Sequence, residues 1–138
     1  MRYYKPFILL ILISGLLGMP VLAGAEDLGS MSPQKALEYM QAHDDLIIVD
    51  TALPEYYEKQ HFEGAINIPA KEMAEHYNDF PTGARVMVHC RIGKTCLPAY
   101  AVLQEKRPDL ELSYIGGTPL FEAYNIWILK NRKPAGNK

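Results

Sequence analysis

Four short apolar runs do most to fix what this chain folds into. They are Leu46-Ile47-Ile48-Val49, Ala65-Ile66-Asn67-Ile68, Val86-Met87-Val88 and Leu112-Ser113-Tyr114-Ile115. A strand with one wet face alternates apolar and polar side chains. Short runs that stay apolar nearly throughout belong to strands covered on both faces, the condition of a parallel sheet. Helical segments separate them. Ser32-Pro33 opens the first with a capping hydroxyl and a proline whose missing N–H is not needed there. Ala36, Leu37, Tyr39 and Met40 then give an apolar stripe reaching residue 43. Further helical stretches are expected at 54–60, 71–77, 96–106 and 119–131, with turns at Pro81-Thr82-Gly83 and Gly116-Gly117. Strands alternating with helices imply an α/β fold: a mostly parallel central sheet with helices on both faces. Residues 26–31 read as a short lead-in, so the packed core is expected over about 32–131.

The first 25 residues differ in character. Arg2 and Lys5 make a positive head, residues 7–17 are apolar almost throughout, and Ala23-Gly24-Ala25 offers small residues for cleavage. This is the pattern of a secretory signal peptide cut before Glu26. The apolar run is short for a bilayer span, and Pro20 sits at its end. The expectation is export across the inner membrane to the periplasm, with no stable membrane insertion afterwards. Cleavage would leave one domain over 26–138. It removes two of the 14 basic residues and none of the 16 acidic ones, for a net charge of −4. That balance argues against a nucleic-acid partner or a membrane-surface role.

Chemistry is concentrated near the two cysteines, Cys90 and Cys96. They lie too close in the chain to staple distant parts of a fold. Cys90 follows the third strand and precedes a helix, and open parallel sheets bind ligands beyond the carboxyl ends of their strands. The loop Cys90-Arg91-Ile92-Gly93-Lys94-Thr95 combines three useful features. Gly93 permits a tight path. Successive N–H groups at a helix start can form an anion-binding nest. Arg91 and Lys94 add positive charge. Together they favour the Cys90 thiolate, the nucleophilic form. A lone buried cysteine would read as a small core residue, but this setting favours a catalytic one. His89 should point to the opposite face from Cys90 and so reads as a packing or positioning residue. No His/Cys spacing resembles a zinc site.

These residues bring a family into view. Cys90, Arg91, Gly93 and Thr95 match the rhodanese loop pattern Cys-Arg-x-Gly-x-Thr or Arg. The segment His61-Phe62-Glu63-Gly64-Ala65-Ile66-Asn67-Ile68-Pro69 resembles that family's His-Ile-x-Gly-Ala-x-Asn-Ile-Pro stretch. Asp50 resembles the start of its Asp-Val-Arg motif, and Gly116-Gly117 with Phe121 its C-terminal Gly-Gly segment, usually followed by Trp where Phe121 stands. Three features depart from the pattern. Thr51-Ala52 replaces Val-Arg, the Gly-Tyr-Pro ending is absent after Tyr124, and Cys96 is unusual just after the loop.

The resemblance implies a rhodanese-like domain and a sulfurtransferase. The Cys90 thiolate would take the outer sulfur of thiosulfate or a similar small anionic donor and release sulfite. The resulting persulfide would pass its sulfur to a thiol or a cyanide-like acceptor. Arg91, Ile92, Gly93, Lys94 and Thr95 would bind the donor, with Arg91 facing the pocket mouth. Asp50 and His61 would give structural support. No metal or organic cofactor is required. Cys96 is a candidate redox partner for Cys90, with simple packing as the alternative. Two other readings stand beside this one: a non-catalytic sulfur carrier, or a redox-gated binding module of the same fold. A cysteine phosphatase fits less well, because it needs an arginine six positions after the cysteine to clamp phosphate, and that position holds Cys96.

Overall fold

The structure is a computed structural model that describes residues 25–131. Apart from Ala25, the expected signal peptide lies outside the described residues, as does the polar tail after Pro134. Among the described residues, five strands make one sheet: β1 (Asp27–Met31), β2 (Ile47–Asp50), β3 (Ile66–Asn67), β4 (Arg85–His89) and β5 (Glu111–Ile115). Their order is β1-β5-β4-β2-β3, and every neighbouring pair is parallel. The helices are α1 (Pro33–Ala42), α2 (Pro54–Lys59), α3 (Met73–His76), α4 (Leu97–Lys106) and α5 (Phe121–Asn131). No helix among the described residues is long and apolar enough to cross a membrane.

Strand periodicity divides the core in two. Along β4, Val86 and Val88 face one side and Met87 the other. The Met87 side packs against Ala36, Leu37 and Met40 of α1 and Phe121, Tyr124 and Ile128 of α5. The Val86 and Val88 side packs against Met73 of α3 and Ala99, Tyr100 and Leu103 of α4. Buried on both faces, the sheet has the composition expected of parallel strands. Ser32 caps α1 by accepting the Lys35 N–H at 3.3 Å. Helix α3 is shorter than the expected 71–77, because tight 3-10 turns at Ala70–Glu72 and Tyr77–Asp79 flank it.

One expectation fails at the start of the domain. Residues 26–31 are no lead-in: most of them form the edge strand β1, paired to β5 from Asp27 to Met31. Met31 is buried, so the packed fold begins at Asp27 and not near residue 32. Asp, Gly and Ser are poor strand formers, and Gly29 adopts φ +63° where the register shifts, as in a bulge. The open edge of β5 supplies what the local sequence does not.

The topology leaves a crevice at the carboxyl end of the sheet. Neighbouring strands β2 and β4 send their chains to opposite faces. Tyr57 of α2 packs with the α1 and α5 cluster, whereas α4 packs on the other side. The two following loops therefore diverge, and such a point is where open parallel sheets hold ligands.

Candidate active site

The loop expected to carry the chemistry lies at that crevice. Cys90 is the first residue after β4 and is 1% exposed. Seven residues later α4 begins, so the chain must turn sharply. Gly93 makes the turn at φ +73°. A Cβ there would lie 2.3 Å from the Gly117 nitrogen and 2.7 Å from the Gly116 carbonyl carbon. The loop backbone thus rests directly on the Gly116-Gly117 turn after β5, and only glycine fits between them.

The setting of Cys90 favours its thiolate. Its pKa is lowered to about 4. The largest cause is a hydrogen bond from the Cys96 side chain; burial opposes it, and the Thr95 hydroxyl and the N–H groups of Ile92 and Cys96 add to it. Cys96 responds the opposite way. The bond to Cys90, burial and the Cys90 charge hold its thiol well above the ordinary range. Both cysteines are free and buried. The two shifts run in opposite directions and favour the charge on Cys90 over Cys96. The expected loop residues divide by role. Ile92, Thr95 and Cys96 aim donors at the sulfur, Gly93 shapes the loop, and the Lys94 side chain is exposed while its carbonyl accepts the Leu97 N–H at 3.2 Å.

Arg91 is placed differently from the sequence expectation. It borders the crevice, but its guanidinium is engaged with the protein. Nη2 donates to the carbonyls of Tyr56 at 2.8 Å and Gln60 at 2.7 Å. Nη1 lies 3.2 Å from Asp50 Oδ2, and the guanidinium stacks over Phe121 at 4.8 Å. Asp50 is fully buried, and its Oδ1 accepts the Ala52 N–H at 3.0 Å. A buried carboxylate draws in the nearest cation, since leaving it alone would be costly.

His89 turns away from Cys90, as strand alternation requires. It is fully buried between the rings of Phe62 and Phe121, with centroids at 4.9 and 5.6 Å. Its Nε2 is 3.9 Å from Asp50 Oδ2, and neither ring nitrogen makes a hydrogen bond. Burial lowers its pKa, which favours the neutral ring. His61 lies in a turn after α2. Its Nδ1 bonds the Tyr57 carbonyl at 2.7 Å, and its own carbonyl accepts Asn125 at 2.9 Å.

A cavity of about 500 Å³ opens above the loop. Arg91, Ile92 and Thr95 border it on the loop side. Ala52, Leu53, Tyr56, Pro69 and Ala70 supply an apolar wall that the sequence reading missed. These residues come from two separate connections, after β2 and after β3, and only folding brings them together. Thr95 belongs to both parts, bonding the sulfur and lining the cavity.

Comparison with known proteins agrees with this geometry. A family model described as a Rhodanese-like domain matches residues 32–124. No curated protein matches the chain. Among solved structures, a rhodanese-related protein from Thermoplasma volcanium is 18% identical, with TM-score 0.54 over 75% of this chain and 94% of that one. A protein from Lactobacillus plantarum is 25% identical, with TM-score 0.53 over 64% of this chain and 76% of that one. A Rhodopseudomonas palustris protein described as a possible tyrosine phosphatase is 17% identical, with TM-score 0.57 over 72% of this chain and 80% of that one. The first and third show a shared fold alone. Because the family model spans most of the described residues, including the loop and both crevice strands, the chain belongs to the rhodanese-like domain family.

Proposed function

We propose that the protein is a sulfurtransferase that carries sulfane sulfur as a persulfide on Cys90. The observation that supports this reading is a buried cysteine just after β4, where the Cys96 thiol, the Thr95 hydroxyl and the Ile92 and Cys96 N–H groups favour its thiolate. Such donors stabilise a sulfur anion before and after transfer. The Cys90 thiolate attacks the outer sulfur of thiosulfate. The S–S bond of the donor breaks, sulfite leaves with the bonding pair, and a Cys90 persulfide anion remains. Charge balances with no proton moved. An acceptor thiol or cyanide then takes the outer sulfur and regenerates the thiolate. The reading includes export to the periplasm, resting on the first 25 residues.

A phosphatase reading gains nothing from the site. Position 96 is cysteine, and Arg91 is already committed to Asp50 and two carbonyls. The deciding experiment is incubation with thiosulfate followed by peptide mass spectrometry. One added sulfur on the Cys90 peptide is expected, together with thiocyanate production when cyanide is supplied. Cys90→Ala should abolish both and leave the circular dichroism spectrum unchanged. Thiocyanate production by folded Cys90→Ala would overturn the assignment.

A further inference from the structure

A cluster of unpaired polar atoms lies beside the Cys90 loop. Among the described residues, the buried side-chain atoms with no hydrogen-bond partner are Asp50 Oδ2, both ring nitrogens of His89 and Arg91 Nη1. Buried polar atoms are nearly always paired, and here the exceptions meet at one place. His89 Nε2 at 3.9 Å and Arg91 Nη1 at 3.2 Å approach the same Asp50 oxygen. In the chain these two residues flank Cys90. The charged groups around the imidazole are Asp50 from β2, with Cys90 and Arg91 from the loop. Phe62 ahead of β3 and Phe121 of α5 cover it with neutral rings. Burial holds the His89 pKa below the ordinary 6.5; Asp50 and Cys90 oppose that, and Arg91 adds to it. At neutral pH the ring is therefore uncharged, and Arg91 has Asp50 to itself.

Arg91 passes this arrangement on to α2. That helix buries none of its own residues. It is tied down by Tyr57, whose hydroxyl donates to the Ala65 carbonyl at 2.6 Å, and by Arg91 Nη2, which donates to the carbonyls of Tyr56 and Gln60. We infer that His89 is a positioning residue for α2, acting through Asp50 and Arg91: neutral, it leaves Asp50 to Arg91 and α2 stays docked; protonated, it draws Asp50 to itself and Arg91 lets α2 go. A buried imidazolium needs a partner, since an unpaired buried charge is costly. The carboxylate within reach is Asp50. Two cations then compete for one oxygen. Arg91 yields, because its side chain is 27% exposed and reaches water while that of His89 is sealed. Leu53 and Tyr56, the cap and a residue of α2, belong to the crevice wall, so acid opens the crevice from that side. The donors around the Cys90 sulfur all come from the loop. The change is confined to the wall and goes beyond the sulfurtransferase reading.

The test follows amide hydrogen exchange by NMR from about pH 7.5 to 4, expressed as protection factors so that the intrinsic pH dependence of exchange cancels. The His89 ring resonances are titrated over the same range. The Gln60 amide is the reporter, because it donates to the Tyr56 carbonyl that Arg91 also holds. Its protection should fall about tenfold or more in step with His89 protonation, the scale of losing hydrogen bonds to a charged group. Amides of β4 should keep theirs. His89→Gln takes up no proton and should hold α2 protected throughout. His61 also touches this helix, with Nδ1 on the Tyr57 carbonyl at 2.7 Å; His89→Gln leaves it in place and so separates the two histidines. Flat Gln60 protection through the His89 titration, a ring that stays neutral until the whole protein unfolds, or an equal loss in folded His89→Gln overturns the inference. If the variant does not fold, the wild-type titration decides. Whether Cys90 takes up sulfur is read separately by the thiosulfate experiment, so the two proposals fail independently.

Discussion

Arg91 Nη1 stands 3.2 Å from Asp50 Oδ2, tying the second residue after β4 to the end of β2. Register pairs Asp50 with His89, so the ion pair reaches from the end of one strand to just past the end of its neighbour. The Asp50 side chain is fully buried and that of Arg91 is 27% exposed. Removing one partner of such a pair strands the other.

Arg91→Ala should therefore act first on stability, where the sequence alone pointed to donor binding. A loss of about 3 kcal/mol is expected from the stranded Asp50 carboxylate, toward the lower end of the range because solvent reaches Arg91. Arg91→Lys should recover part of it, since a lysine cannot reproduce the fork that spans Tyr56 and Gln60. Urea midpoints measure both. An unchanged midpoint in Arg91→Ala, with a raised KM for thiosulfate, would restore the donor-binding role.

Cys96 should set the pH range of sulfur loading. Thiolate is the reactive form, and the Cys90 pKa is lowered to about 4, so loading should hold steady at neutral pH and fall only as pH drops toward that value. Cys96→Ala removes the largest cause of the lowering. The Cys90 pKa then rises toward the ordinary thiol range, and the acidic limb moves to higher pH. Loading rates from pH 3.5 to 9 decide it. Coincident profiles for wild type and Cys96→Ala would remove Cys96 from this role.

The same closeness gives a redox prediction. A mild disulfide-forming oxidant should join Cys90 to Cys96 and stop sulfur transfer, and a dithiol reductant should restore it. Cys96→Ala should stay active under the same oxidant. Peptide mapping under non-reducing conditions identifies the bond. Equal inactivation of both proteins would leave Cys96 as a donor and packing residue only.

Gly93→Ala should damage the site through the backbone. The positive φ alone costs about 1–3 kcal/mol. The added methyl meets the Gly117 nitrogen at 2.3 Å, so the loop must lift from the Gly116-Gly117 turn. Loading should drop about 100-fold, the scale of a small displacement of reacting groups. A variant with wild-type loading and stability would show that the loop tolerates a different path.

The sequence determined the sheet class, because short runs that stay apolar nearly throughout belong to strands covered on both faces. It marked the candidate loop as well: a cysteine, a glycine and two cations between a strand and a helix carry their meaning locally. It placed His89 on the face away from Cys90, since alternation along a strand is a local rule. Tertiary structure decided the rest. Edge strand β1 exists because β5 offers an unpaired edge, although Asp27, Gly29 and Ser30 argue against a strand. Arg91 turns to Asp50 because burial leaves that carboxylate in need of a cation, and burial is set by packing from distant segments. The apolar cavity wall joins Leu53, Tyr56 and Ala70 with Ile92, and the Gly93 constraint comes from Gly117. Contacts between residues far apart in the chain leave no periodicity or spacing to read, so only the folded chain reveals what surrounds the sulfur.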